Sequence, residues 1–282
     1  MVGPVAGRYP LAMQQPRVVL TGASGGIGLA FCEALGQRGA RVWVCGRDEE
    51  RLGSARAAVE QAGGSATSLV MDLEHPDSLR TAVEQLRQEA PIDWLVNNAG
   101  IVETAPVHSS KASGEQARRL MQVNFHAARE LTQGLLGLLA ESKRPSVVMV
   151  ASSAALGGHP YVAAYSASKH ALLGWARCAA RDLQTKGIAV NVVCPHFVDT
   201  PMTDSGADFV AAQTGRSKEQ VKAEYAAINP SGVLIAPSEV ALAALGLLES
   251  TISGHVIELT GGDNQRCVDQ GFEIEAVARR YQ

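Results

Sequence analysis

Val18-Val19-Leu20-Thr21-Gly22-Ala23-Ser24-Gly25-Gly26-Ile27-Gly28 reads as a buried strand, a turn with four glycines in seven residues, and the start of a helix. Small residues in such a turn let the backbone approach a pyrophosphate, whose charge rests against the unpaired amides and positive dipole end of the helix. A dinucleotide cofactor is implied, with Gly22, Ser24, Gly26, Ile27 and Gly28 around its diphosphate. The spacing satisfies both TGxxxGxG (Gly22, Gly26, Gly28) and TGxxGxxG (Gly22, Gly25, Gly28).

Outward from this turn, β-branched runs alternate with longer alanine-rich segments of helical period, the pattern of βαβ units. The runs predict seven strands: Arg17–Thr21, Arg41–Cys45, Ala66–Met71, Ile92–Val96, Ser146–Ala151, Ile188–Val193 and His255–Leu259. Helices are predicted at Ile27–Arg38, Glu49–Ala62, Pro76–Glu89, Glu115–Glu141, Ala163–Lys186 and Pro237–Leu248. The fold expected is α/β: a doubly wound Rossmann fold with a seven-stranded parallel sheet flanked by helices, its strands buried on both faces. One domain over residues 17–262 accounts for the pattern, with tails at 1–16 and 263–282 and a substrate lid near 199–236. In the C-terminal tail, Phe272, Ile274 and Val277 fall at roughly helical spacing.

Composition narrows the partners. The 282 residues are 46% apolar and 19% charged, with a net charge of −3, so no electrostatic case exists for nucleic acid or an anionic membrane. Apolar stretches such as Leu135–Ala140 fall far short of the roughly 20 residues of a membrane helix. Five scattered cysteines without a CxxC pair argue against a disulfide framework or a metal site and for a reducing cytoplasm.

The second strand ends Val44-Cys45-Gly46-Arg47, where such folds place the ribose-recognition residue. An acid there would accept from a ribose 2′-hydroxyl; an arginine bonds a 2′-phosphate. Arg47 therefore favours NADP(H) over NAD(H), although Asp48 follows directly.

Tyr165 and Lys169 open a long helix four residues apart, hence on one face. Bringing a phenol from a pKa of about 10 toward 7 takes about 4 kcal/mol, which a lysine and a bound cofactor could supply in a water-poor cleft. Tyr165 would then serve as general acid or base. Asn97-Asn98-Ala99-Gly100 after the fourth strand, Ser152-Ser153 after the fifth and Asn124 on the preceding helix can share the crevice at the strand ends.

With Asp72-Leu73, Pro195, Val198 and Thr200, these motifs make the chain, from Arg17 to about Gly262, resemble the short-chain dehydrogenase/reductase family, in its shorter, single-domain branch. The resemblance implies that Tyr165 exchanges the proton with the substrate oxygen and Ser152 hydrogen-bonds that oxygen. It implies that Lys169 holds the nicotinamide ribose and lowers the tyrosine pKa, and that Asn124 anchors a water next to Lys169. Asp72 and Leu73 would contact the adenine, Asn98, Ala99 and Gly100 the adjacent ribose, and Val198 and Thr200 the nicotinamide amide. Homo-oligomers, dimeric or tetrameric, are implied through the two long helices. The lid points to a ketone or a β-keto acyl thioester as the small-molecule substrate.

Two positions depart from the family pattern: His196 stands where glycine usually follows the proline, and Ala155 where a glycine is common. His196 either reaches the substrate region or caps the strand; His159, Tyr161 and Phe197 are candidate pocket walls. The leading expectation is an NADP(H)-dependent oxidoreductase interconverting a ketone and a secondary alcohol. Its alternatives are an NAD-dependent secondary-alcohol dehydrogenase and a non-catalytic redox sensor.

Overall fold

A computed structural model describes residues 15–89, 91–262 and 264–273. The glycine turn lies between β1 (Arg17–Thr21) and α1 (Gly26–Gly36). After them come β2 (Arg41–Gly46), α2 (Glu49–Gln61), β3 (Ser65–Val70), α3 (Pro76–Leu86) and β4 (Trp94–Asn97). The chain continues through α4 (Gly114–Met121), α5 (Ala127–Ala140), β5 (Ser146–Val150), α6 (Ala163–Asp182) and β6 (Ala189–Pro195). It ends with α7 (Pro201–Thr214), α8 (Lys218–Ile228), α9 (Pro237–Leu248), β7 (Ile252–Gly261) and β8 (Asn264–Glu273).

The strands form one sheet in the order β3-β2-β1-β4-β5-β6-β7-β8. Chain order reverses between β1 and β4, which opens a crevice at their carboxyl ends. Two apolar layers cover the sheet. One packs α3, α5 and α6 through Leu79, Leu131, Leu135 and Leu172; the other packs α1, α2 and α9 through Phe31, Leu52, Ala244 and Leu245. Each large buried side chain contributes about 1.5–3 kcal/mol, more than helix propensity supplies, so the layers hold the helices in place.

The α/β doubly wound fold is as expected, with corrections at its edges. Among the described residues the sheet has eight strands, not seven, and β8 runs antiparallel to β7. Gly261 (φ 96°) and Gly262 (φ 62°) turn the chain back tightly, conformations that suit glycine, so the segment read as a C-terminal tail is a strand through Glu273. Ile274 and Val277 lie outside the described residues, as do residues 1–14 of the N-terminal tail. Burial on both faces fails at the edges: β3 and β8 are largely exposed.

The helix expected over Glu115–Glu141 divides into α4 and α5 around a widened π turn at Gln122–His126. The segment expected to form a lid contains two helices, α7 and α8. No helix among the described residues is long and apolar enough to cross a membrane.

The start of β7 rests on a side chain that no hydrophobic pattern reveals. Buried Asn191 donates from Nδ2 to Ile252 O (2.7 Å) and accepts at Oδ1 from His255 N (2.9 Å), satisfying backbone groups ahead of the β6–β7 register at Val192–Val256. Replacing Asn191 by leucine leaves both groups unpaired. Asn191→Leu is expected to lower the unfolding free energy by about 2–4 kcal/mol in urea denaturation; an unchanged midpoint would refute this account of β7.

Candidate active site

The crevice is tied together at its floor. Thr21 Oγ1 accepts from the backbone N–H groups of Asn98 and Ala99, each at 3.0 Å, and Asn98 Nδ2 donates to Thr21 O (3.0 Å) and Gly22 O (3.1 Å). Gly22 has φ +65°, and a Cβ there would stand 2.8 Å from Ala99 Cα. At Gly28 a Cβ would meet Gly22 O at 2.0 Å, so the helix start lies directly on the turn. Among the described residues no side chain caps the N-terminus of α1, which leaves its first amides available to an anion. A dinucleotide diphosphate fits this cradle. Thr200 closes one side, since a Cβ on Gly26 would lie 2.8 Å from its Cγ2.

Ser152, Tyr165, Lys169 and Asn124 converge beside this cradle. Ser152 Oγ accepts from Ala154 N (3.1 Å), so its own hydrogen is free for the Tyr165 oxygen to which it is bonded. Lys169 is buried; its Nζ donates to Val150 O (2.9 Å) and lies 5.9 Å from the Tyr165 ring centroid. The π turn aims Asn124 across the gap: Oδ1 accepts from Ile101 N (2.8 Å), and Nδ2 donates to Ile101 O (2.9 Å) and Ser168 Oγ (3.0 Å). Gly100 keeps space open there, because a Cβ on it would stand 3.2 Å from Asn124 Oδ1 and 3.3 Å from Lys169 Nζ.

Burial raises the Tyr165 pKa above its usual value, with the Ser152 hydrogen bond opposing, and brings the Lys169 ammonium down to about 8. Among its own residues alone, burial thus favours the protonated phenol of Tyr165.

At the far end of the cradle, Arg47 extends into solvent and its Nη1 donates to Glu74 Oε1 (3.2 Å). Arg119 binds both oxygens of Glu74, at 2.8 and 2.9 Å, and holds that carboxyl below its usual pKa. Arg51 Nη2 donates to Ser24 O (3.2 Å), placing a second cation at the turn that the sequence reading missed. Asp72 Oδ1 accepts from Glu74 N (3.0 Å), and Leu73 O accepts from Gln122 Nε2 (3.2 Å), so both shape the loop after β3.

The segment after β6 is tied down at its base. Val198 bridges Ile235, and Thr200 caps α7. Buried Asn229 accepts at Oδ1 from Phe197 N (3.0 Å) and donates from Nδ2 to Phe197 O (2.9 Å) and Val233 O (2.7 Å). Phe197 stacks on Tyr225 with centroids 4.4 Å apart, so this candidate wall packs within the lid. Tyr161 holds φ +67°, which costs a non-glycine residue about 1–2 kcal/mol, and its carbonyl accepts from Ala105 N (2.7 Å). His196 neither stands free nor merely ends the strand: its Nε2 is bonded to Glu258 Oε1 at 2.9 Å.

The fold and the convergence of these residues are those of a nucleotide-binding α/β oxidoreductase. A sequence profile of the family described as short chain dehydrogenase matches residues 16–210, and the chain belongs to that family. It is similar to cyclopentanol dehydrogenase of Comamonas sp., at 32% identity over 87% of this chain and 95% of that protein. It is also similar to 3-oxoacyl-(acyl-carrier-protein) reductase of Escherichia coli, at 29% identity over 86% of this chain and 95% of that protein. Among solved structures, a variant of actinorhodin polyketide ketoreductase with NADPH superposes with a TM-score of 0.79 at 30% identity, covering 88% of this chain and 97% of the other.

Proposed function

We propose that this protein is an NADP(H)-dependent oxidoreductase that interconverts a ketone and a secondary alcohol. The observation that carries the reading is the buried Lys169 ammonium beside Tyr165, itself bonded to Ser152, next to an uncapped glycine cradle. NADP(H) supplies the hydride. In the reducing direction Tyr165 gives its proton to the substrate oxygen, and the Ser152 hydroxyl, oriented by Ala154 N, donates a second hydrogen bond to it. The Lys169 ammonium, anchored on Val150 O, stabilises the negative charge that develops on the Tyr165 oxygen as the tyrosinate forms. The names of the relatives, a cyclopentanol dehydrogenase and two carbonyl reductases, support this chemistry.

The NADP(H) preference rests on Arg47 and Arg51 at the turn and on the NADPH held by the actinorhodin enzyme. Glu74 favours NAD(H), since its carboxylate touches Arg47. Arg119 already occupies both oxygens of Glu74, which leaves Arg47 only a shared, exposed contact of the kind worth about 1 kcal/mol or less. A 2′-phosphate outcompetes it.

Tyr165→Phe is expected to abolish turnover while NADPH binding, followed by fluorescence, is retained; an active variant would disprove the assigned proton donor. Arg47→Ala should raise KM for NADPH about tenfold, the loss of one charge-assisted hydrogen bond, and leave KM for NADH unchanged. Equal effects on both cofactors would count against the 2′-phosphate role.

The pH dependence follows from the two shifts. Tyr165, raised, stays protonated through neutrality, whereas Lys169 loses its charge near pH 8. The kcat/KM for ketone reduction should be level below about pH 8 and fall above it; a profile still rising with pH beyond 9 would contradict the assignment.

A further inference from the structure

Two carboxylates stand near Arg47, and different partners hold them. Asp48 caps α2: its Oδ1 accepts from Arg51 N (3.1 Å), which commits that oxygen to the start of the helix. Glu74, in the loop after β3, is the acid that reaches Arg47, accepting at Oε1 from Nη1 (3.2 Å). β2 and β3 are parallel neighbours with Gly46 opposite Val70, so the loops that leave them, carrying Arg47 and Glu74, run side by side. A free carboxylate at such a place serves a ribose 2′-hydroxyl and opposes a 2′-phosphate.

Arg119, on α4, resolves that conflict. Its Nη2 and Nε donate to the two oxygens of Glu74 (2.8 and 2.9 Å), and its Nη1 donates to Glu103 Oε1 (2.8 Å), so one guanidinium spans the loops that follow β3 and β4. Gln122, three residues further along the same helical face, donates from Nε2 to Leu73 O (3.2 Å) and fixes the backbone next to Glu74. The planar fork of arginine matches two carboxylate oxygens at once, which makes this pairing stronger than the single contact from Arg47. Exposure points the same way: the Arg47 side chain is 62% exposed, against 43% for Arg119 and 25% for Glu74. Glu74 is therefore held from α4, and Arg47 is the cation left with donors to spare.

We infer that Arg119 is a specificity-determining residue for the cofactor that acts through Glu74: by holding both carboxylate oxygens it keeps Glu74 from closing on Arg47, and so leaves the Arg47 guanidinium to the 2′-phosphate of NADP(H). It is a positioning residue, and Glu103 steadies its remaining nitrogen. Without Arg119 the carboxylate pairs fully with Arg47, and the site takes on the character of one for NAD(H). This role rests on the NADP(H) reading above.

The test is a double-mutant cycle read by fluorescence titration of NADPH and of NADH without substrate, so that no arm depends on turnover. Working at about 0.15 M salt screens the bare charge of exposed residues. Arg119→Ala is expected to weaken NADPH binding about fivefold, the upper end for an exposed ion pair, and to leave NADH binding unweakened, which also shows that the site remains folded. Glu74→Gln, which keeps the shape and removes the charge, should strengthen NADPH binding. In the Glu74→Gln background, Arg119→Ala should have no further effect on NADPH. A loss that persists in that background means that Arg119 acts on the phosphate by its own charge and overturns the inference; so does an Arg119→Ala protein that binds NADPH as the unaltered protein does. Equal affinity of the unaltered protein for both cofactors, with Arg47→Ala changing neither, overturns instead the NADP(H) reading on which the role rests.

Discussion

The close approach of the Gly22 turn to the end of β4 is the constraint on which the rest of the site depends. With a Cβ at Gly22 predicted to stand 2.8 Å from Ala99 Cα, no other residue fits without separating β1 from β4. The Thr21 hydroxyl and the Asn98 amide then bind the two strand ends to each other by four hydrogen bonds. Because chain order reverses at this pair of strands, the same contact that closes the sheet floor also opens the crevice above it. Gly100, one residue further, is thereby delivered beside Lys169 and Asn124.

Burial works in two senses within this crevice. It supplies stability to the layers of apolar side chains, and it opposes charge on the residues between them. Lys169 illustrates the balance: its ammonium is brought down to about 8 by desolvation, yet Val150 O holds it within 5.9 Å of the Tyr165 ring. Burial therefore disfavours the charged forms of both Tyr165 and Lys169.

Much of this was legible in the amino-acid order. The Gly22–Gly28 turn, the four-residue spacing of Tyr165 and Lys169 and the alternation of strand and helix each depend on neighbours within a few residues, and local chemistry decides them. What escaped was non-local. The π turn that directs Asn124 interrupts a seamless helical pattern, and Asn191 substitutes for ladder bonds that only the β6–β7 register defines. The direction of the Tyr165 shift depends on how much water its environment excludes, which spacing alone does not report. For β8 a signal did exist: the Gly261-Gly262 pair is a hairpin turn, but the polar residues after it lack the apolar alternation of a half-buried strand.

By itself, the sequence determined the doubly wound class of the fold, the glycine turn and the four-residue spacing of Tyr165 and Lys169, because periodicity and spacing carry that information along the chain. Tertiary structure alone decided that Arg47 shares Glu74 with Arg119, that burial pushes the Tyr165 pKa up, and that β8 brings Arg266 to Glu258, which in turn holds His196. Those outcomes turn on desolvation and on contacts between residues far apart in the chain. Such quantities come into being only when the sheet closes.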